Sequence, residues 1–177
     1  MSTPLQARRF FAAGLWMSGL LLPFASSDAA LAATPVMLIN VQTGKCLTIA
    51  GGESTENNVT ALQFTCDSHP SRRWRLIKIG SVFQIKNLQT GKCLTIAGGV
   101  STENNVTALQ FNCDDHPSRR WRINRVGDVF QIKNVQTGKC LTIAGGESTA
   151  NNVEALQFNC DSHPSRTWQI RSSVIID

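Results

Sequence analysis

Side chains that could carry acid–base or metal chemistry recur together in this chain. All three histidines lie in copies of one segment, Cys-Asp-x-His-Pro-Ser-Arg, at His69, His116 and His163. A Ser-His-Asp triad needs a nucleophile exposed on a strained turn, and a zinc site needs closely spaced His and Cys ligands. The chain has neither pattern, nor a pair of carboxylates in contrasting surroundings. The sequence therefore predicts no enzyme, no metal site and no cofactor.

The six cysteines are the second group with chemistry to offer. Six cysteines allow 15 pairings, and an exported chain would oxidise them. They recur 47 residues apart in two series, which favours pairing within each repeat. The expected disulfides are Cys46–Cys66, Cys93–Cys113 and Cys140–Cys160. Each would close a loop of about 20 residues and add roughly 3 kcal/mol of stability.

The 47-residue period extends to the whole chain and positions these groups. In the second repeat, four short segments alternate between apolar and polar residues and end at Gly, Asn or Pro. They are 82–85, 92–96, 108–113 and 120–123. Alternation of this kind predicts strands, and no window shows a helical period. Three units of four strands predict an all-β fold with pseudo-three-fold symmetry, closed so that no sheet edge is exposed. An open solenoid is the alternative.

The N-terminal segment predicts export. Arg8 and Arg9 precede an uncharged apolar run, and Ala30-Leu31-Ala32-Ala33 offers a small-residue cleavage site. Residues 1–33 are therefore interpreted as a secretory signal peptide and residues 34–177 as one mature domain, extracellular or periplasmic. An uncleaved membrane anchor is the alternative, but the run is short for a bilayer. The formal charge falls from +5 to about +4 on cleavage, which does not indicate nucleic-acid binding.

Three motifs in each repeat resemble the ricin B-type lectin family. They are Cys-Leu-Thr-Ile, Gln-Phe-x-Cys and Arg-x-Trp, and the resemblance covers about Val36 to Arg171. It implies a β-trefoil with repeats at about 36–82, 83–129 and 130–177. It also implies a non-catalytic carbohydrate-binding module with up to three shallow pockets. The expected partners are glycans or polysaccharides on a cell surface or matrix, without membrane insertion.

The chain departs from the family at polar positions. The family's Gln-x-Trp is Arg-x-Trp here. Thr replaces the Asp that typically follows the first Cys by two residues, at Thr48, Thr95 and Thr142. Ser replaces the Asn three residues before the Trp, at Ser71, Ser118 and Ser165. The aromatic residue before the second Cys is kept as Phe64, Phe111 and Phe158. A hydroxyl cannot match a charged carboxylate as an acceptor, so galactose specificity is not carried over.

The remaining candidate site residues allow two interpretations each. The phenylalanines could belong to the core or to a sugar platform, and the histidines to a surface loop or to a pocket rim. Asn58, Asn105 and Asn152 could serve a turn or bind hydroxyls. Asp67, Asp114 and Asp161 could contact ligand or pair with Arg72, Arg119 and Arg166, which alternation places beside the tryptophans, facing inward.

A second set of arginines favours a different ligand. Arg73 and Arg75 recur as Arg120 and Arg122 but are Thr167 and Gln169 in the third repeat. Both arginines of each pair are expected to face outward, which favours an acidic glycan at the first two repeats. The leading hypothesis remains a secreted, multivalent lectin. The alternative is a protein-binding trefoil, such as an inhibitor or a toxin-associated subunit.

Overall fold

Four short strands form in each repeat, because alternating residues present one apolar face to a shared interior. The computed structural model describes residues 34–173. The strands of this range are β1 (Val36–Asn40), β2 (Cys46–Ile49), β3 (Ala61–Phe64), β4 (Trp74–Ile79), β5 (Val82–Asn87), β6 (Cys93–Ile96), β7 (Val106–Phe111), β8 (Trp121–Val126), β9 (Val129–Asn134), β10 (Cys140–Ile143), β11 (Ala155–Phe158) and β12 (Trp168–Ser172). A 3₁₀ turn precedes β4, β8 and β12, at Pro70–Arg72, Pro117–Arg119 and Pro164–Arg166.

Six of the strands close into a barrel. β1 pairs with β4, β4 with β5, β5 with β8, β8 with β9, β9 with β12, and β12 returns to β1. All six pairings are antiparallel. The ring joins the first repeat to the third, so the solenoid alternative is wrong. The predicted all-β trefoil with three four-strand repeats is confirmed.

The other six strands form three hairpins, β2–β3, β6–β7 and β10–β11. The hairpins contact one another through the β7–β11 pairing and through two isolated bridges, Thr60 with Leu109 and Leu62 with Glu154. Hairpins from different repeats are therefore in direct contact.

The core lies inside the barrel and beneath the hairpins. Trp74, Trp121 and Trp168 are completely buried, and each indole nitrogen donates to a leucine carbonyl of the same repeat at 2.9–3.0 Å. Pairing the indole N–H removes the penalty for burying it. Leu, Ile and Val side chains from all three repeats complete one continuous cluster.

The three predicted disulfides are present, each joining cysteines 20 residues apart. Each fastens the first strand of a hairpin to the segment that follows its second strand. The predicted signal peptide, residues 1–33, lies outside the described residues. Within residues 34–173, no helix has the length and apolar character needed to cross a membrane.

Candidate functional site

Each repeat carries one pocket between its hairpin and its 3₁₀ turn. Their volumes are about 250, 320 and 270 Å³ in the first, second and third repeat. All fifteen predicted binding residues line these pockets. The first pocket contains Thr48, Phe64, His69, Ser71 and Asn152. The second contains Thr95, Phe111, His116, Ser118 and Asn58. The third contains Thr142, Phe158, His163, Ser165 and Asn105.

The pocket floor is made of two buried hydroxyl groups. Thr48 and Ser71 are 2% and 0% exposed, and their hydroxyl oxygens lie 3.0 Å apart. The Thr48 hydroxyl also reaches the Ser71 carbonyl at 3.2 Å. The same contacts recur in the other repeats. These hydroxyls are therefore satisfied within the protein, and both residues line the pocket.

The histidine is held in one tautomer by the turn. The backbone N–H of Ser71 donates to His69 Nδ1 at 3.2 Å, and the His69 N–H donates to Asp67 at 2.9 Å. Because Nδ1 accepts a hydrogen bond from the backbone, the proton of the neutral ring lies on Nε2. Nε2 makes no hydrogen bond within residues 34–173, and His69 lines the pocket. The histidine thus offers a donor to a ligand.

The pocket wall is a stack of an arginine on a phenylalanine. The guanidinium carbon of Arg72 lies 4.4 Å from the centre of the Phe64 ring, and the equivalent distance is 4.3 Å in the other two repeats. Phe64 is half-buried, lies outside the core cluster and lines the pocket. Arg72 covers one face of the Phe64 ring. The pocket wall therefore combines the aromatic ring with the flat, charged guanidinium group.

The aspartate–arginine pairs are present in all three repeats. Arg72 contacts Asp67 at 3.2 Å, Arg119 contacts Asp114 at 3.3 Å, and Arg166 contacts Asp161 at 3.2 Å. These arginines are largely buried, as expected, but Arg72 lies in the 3₁₀ turn and not in β4 with Trp74. Its side chain lies against Phe64 in the pocket wall, and only 11% of it is exposed.

The asparagine of each pocket comes from the preceding repeat. Asn58 belongs to the first repeat but lines the second pocket, Asn105 lines the third, and Asn152 returns to the first. Each has a positive φ near 65°, which asparagine tolerates better than most residues. The sequence did not reveal this exchange between repeats. The 47-residue spacing alone cannot say which pocket a loop residue joins.

A buried glutamine holds each exchanged loop. Gln110 donates to the carbonyls of Ser54 and Glu56, both at 2.7 Å, and its own backbone carbonyl accepts from the Asn58 N–H at 2.9 Å. Gln63 and Gln157 make the equivalent contacts with the loops of the third and second repeats. These glutamines recur at the same spacing as the cysteines, a signal that could have singled them out.

A buried asparagine fixes the floor from the following repeat. Asn87, at the end of β5, donates to the Ser71 carbonyl at 2.7 Å. Asn134 and Asn40 bind Ser118 and Ser165 in the same way, at 2.8 and 2.7 Å. A glycine completes the floor, since a Cβ on Gly52 would lie 3.2 Å from the Ser71 hydroxyl oxygen. Each pocket therefore has contacts with all three repeats.

The second arginine set does not form the two predicted outward pairs. Arg120 pairs with Asp115, and only 14% of its side chain is exposed. Arg73 is half-buried, whereas Arg75 and Arg122 are exposed. The outward part of each pair is therefore a single arginine. Among the described residues, no three His, Cys, Asp or Glu side chains cluster as a metal would need.

Comparison with known proteins identifies the same fold. The chain superposes on a designed three-fold symmetric protein, ThreeFoil, with a TM-score of 0.74 and 19% identity over 78% of this chain and 98% of that one. A ricin B-like lectin of Macrolepiota procera, solved in complex with lactose, gives 0.66 and 18% over 77% and 94%. An exo-β-1,3-galactanase of Clostridium thermocellum gives 0.75 and 22% over 79% of this chain but only 30% of the enzyme.

The family comparison is consistent across the repeats. A search of curated protein sequences finds no match. The family model described as a ricin-type beta-trefoil lectin domain-like unit matches residues 31–112, 78–158 and 117–175. These overlapping matches cover all of the described trefoil. The chain belongs to the ricin-type β-trefoil lectin domain-like family.

Proposed function

We propose that this protein is a carbohydrate-binding lectin that engages glycans through its three pockets and catalyses no reaction. The observation that carries the proposal is the threefold copy of one small, open, polar pocket with an aromatic wall. Cavities of 250–320 Å³ lie at or just below the lower end of the size range of ligand sites, which suits one or two sugar units. Membership of the lectin-like family supports the same conclusion.

The groups available to a sugar differ from those of a carboxylate-based site. His69 offers Nε2–H, Asn152 offers an amide, and the Arg72–Phe64 stack offers a flat surface with a cationic edge. Ser71 holds His69 in place, and Thr48 in turn holds Ser71. Asp67 is engaged by Arg72 and by the His69 N–H. The site is rich in donors, and the sugar it prefers must supply acceptors.

Binding through several pockets compensates for weak single sites. A shallow sugar site of this kind is expected to bind with a Kd in the region of 1 mM, about −4 kcal/mol. Two or three such sites on one rigid body can gain roughly 10²–10⁴ in avidity on a dense glycan surface. The three disulfides fit an oxidising compartment, which supports the proposal that the protein is exported.

A glycan array with the oxidised protein, at low and high salt, tests the proposal. We expect binding to a restricted set of glycans that survives high salt and is lost when Phe64, Phe111 and Phe158 are all replaced by Leu. The control replaces the exposed Arg75 and Arg122 by Gln, which should leave binding unchanged. Binding that is instead lost in salt and in the control would transfer the site to these arginines.

Array silence from well-folded protein would contradict the lectin proposal. A protein partner captured equally well after glycosidase treatment would then support the protein-binding trefoil. Multivalency has its own test, which compares variants carrying one, two or three unaltered pockets on a dense glycan surface. Equal retention of all three variants would show that the pockets do not act together.

A further inference from the structure

We propose that each pocket is a composite site in which the asparagine of the preceding repeat contacts the bound glycan directly. Asn58, Asn105 and Asn152 would then be binding residues of the second, third and first pockets. A bound glycan would join two repeats, and the cyclic order would leave no repeat with a complete site of its own. The inference rests on the proposed function for the nature of the ligand.

The asparagine side chain is the first argument. The loop needs a residue that adopts a positive φ, and it needs the backbone N–H that binds the neighbouring glutamine carbonyl. Glycine would meet both needs. Asparagine occupies the position in all three repeats, and within residues 34–173 none of the three amide side chains makes a hydrogen bond. Each is exposed and lines a pocket, so its donors and acceptor remain available.

The rigid support of the asparagine is the second argument. The side chain of Gln110 binds the carbonyls of residues 54 and 56, just before Asn58, and Gln110 is completely buried. Gln110 itself lies in β7 between Leu109 and Phe111, which line the second pocket. One strand thus presents pocket residues on one face and clamps the neighbouring loop with the other. Preorganisation of this kind is what a binding residue requires.

The chain provides its own reporters for a test. Its only histidines are His69, His116 and His163, one in each pocket, so the three ring Cε1–H signals in an NMR spectrum report the three pockets separately. Single His→Gln variants assign the signals. The test variant is Asn58→Gly. The matched control is Asn105→Gly, the same change at the equivalent position of the second repeat, which lines the third pocket. Both keep the backbone conformation and should unfold at the same temperature.

The probes are lactose and the trisaccharide Neu5Acα2-6Galβ1-4GlcNAc, the sugars named for two structural neighbours. In Asn58→Gly we expect the affinity reported by His116 to fall roughly fivefold, as one lost hydrogen bond would require. His69 and His163 should titrate as in the unaltered protein. In Asn105→Gly the loss should move to His163. Even without sugar, Asn58→Gly should shift the His116 signal more than the His69 signal.

Two results would overturn the inference, and they are distinguishable from failure of the proposed function. A loss at His69, the histidine in the same repeat as Asn58, would show that the pockets are not shared. Unchanged affinity at all three histidines, with normal binding by the unaltered protein, would show that the asparagine serves only the turn. Silence of all three signals with both sugars would count against the proposed function, and the composite-site inference would fall with it.

Discussion

Each 3₁₀ turn has two sides. The residues on one side are identical in the three repeats, and those on the other side vary. On the pocket side the turn presents the same His, Ser and Arg in every repeat. On the side toward the barrel rim the residue after the turn varies, and so does the residue before the histidine. The rim residues are Arg73 with Ser68, Arg120 with Asp115, and Thr167 with Ser162.

The difference follows from how many partners each group has. The carbonyl and hydroxyl of Ser71 together contact Thr48, His69, Arg72 and Asn87. A change in any one of these would leave others unpaired in a buried place, so they can vary only together.

The rim residues differ between repeats because each rim side chain needs only one partner. Arg120 pairs with the exposed Asp115, whereas the Thr167 hydroxyl donates to the Pro164 carbonyl at 2.9 Å. In the first repeat, Arg73 and Ser68 border a small cavity of about 170 Å³ instead. None of these arrangements touches the pocket floor. The comparison therefore predicts that changes in the shared contact network affect the pocket as well as stability, and that changes at the rim leave the pocket unaltered.

Removing one disulfide should have the largest effect on stability. Replacing Cys93 and Cys113 together by Ala should lower the free energy of unfolding by about 3 kcal/mol, because the unfolded chain regains the freedom of that loop. The equivalent double variants in the first and third repeats should lose the same amount, since all three loops have the same length. Guanidinium chloride denaturation measures this. Clearly unequal losses would break the claim that the three hairpins are equivalent.

Replacing a buried glutamine should have the next largest effect on stability, and the loss should differ between repeats. Gln110 has three side-chain partners, because its Oε1 also accepts from Thr90 at 2.7 Å. The Oε1 of Gln157 is buried without a partner among residues 34–173. Gln110→Leu should therefore cost about 2–3 kcal/mol, and Gln157→Leu about 1 kcal/mol less. Equal losses in chemical denaturation would show that the Thr90 contact contributes nothing.

The pocket floor and the rim can be compared through two hydroxyl groups. Thr95→Val removes the hydroxyl contacts with Ser118, and Thr167→Val removes the contact with Pro164. Both hydroxyls are largely buried, and each change should lower stability by about 1 kcal/mol. Only Thr95→Val should weaken glycan binding, and only at the second pocket, because Ser118 positions His116. Loss of binding in Thr167→Val would show that the rim also shapes the pocket.

Contacts within one repeat could be predicted from the sequence, and contacts between repeats could not. Period and alternation were sufficient for the twelve strands, the disulfides and the Asp67–Arg72 type of pair, since each lies within one repeat. The burial of Arg72 was expected, but its place in the pocket wall was not, because alternation was extended from β4 two residues back into a turn. The position of Asn58 in the pocket of the second repeat was not predictable. Identical repeats have the same sequence pattern whichever neighbouring repeat a loop contacts.

The smallest expected effect lies at the rim, in the conversion of one repeat into another. Asp115→Ser gives the second repeat the rim of the first and removes the partner of Arg120. Asp115 is fully exposed, so the pair is screened by solvent, and the stability should be indistinguishable from that of the unaltered protein at moderate salt. The titration of His116 with sugar should not change either. A fall in affinity at the second pocket alone would mean that Arg120, freed from Asp115, perturbs the neighbouring Arg119. The two sides of the turn would then be coupled, and the separation between a fixed pocket and a variable rim would be wrong.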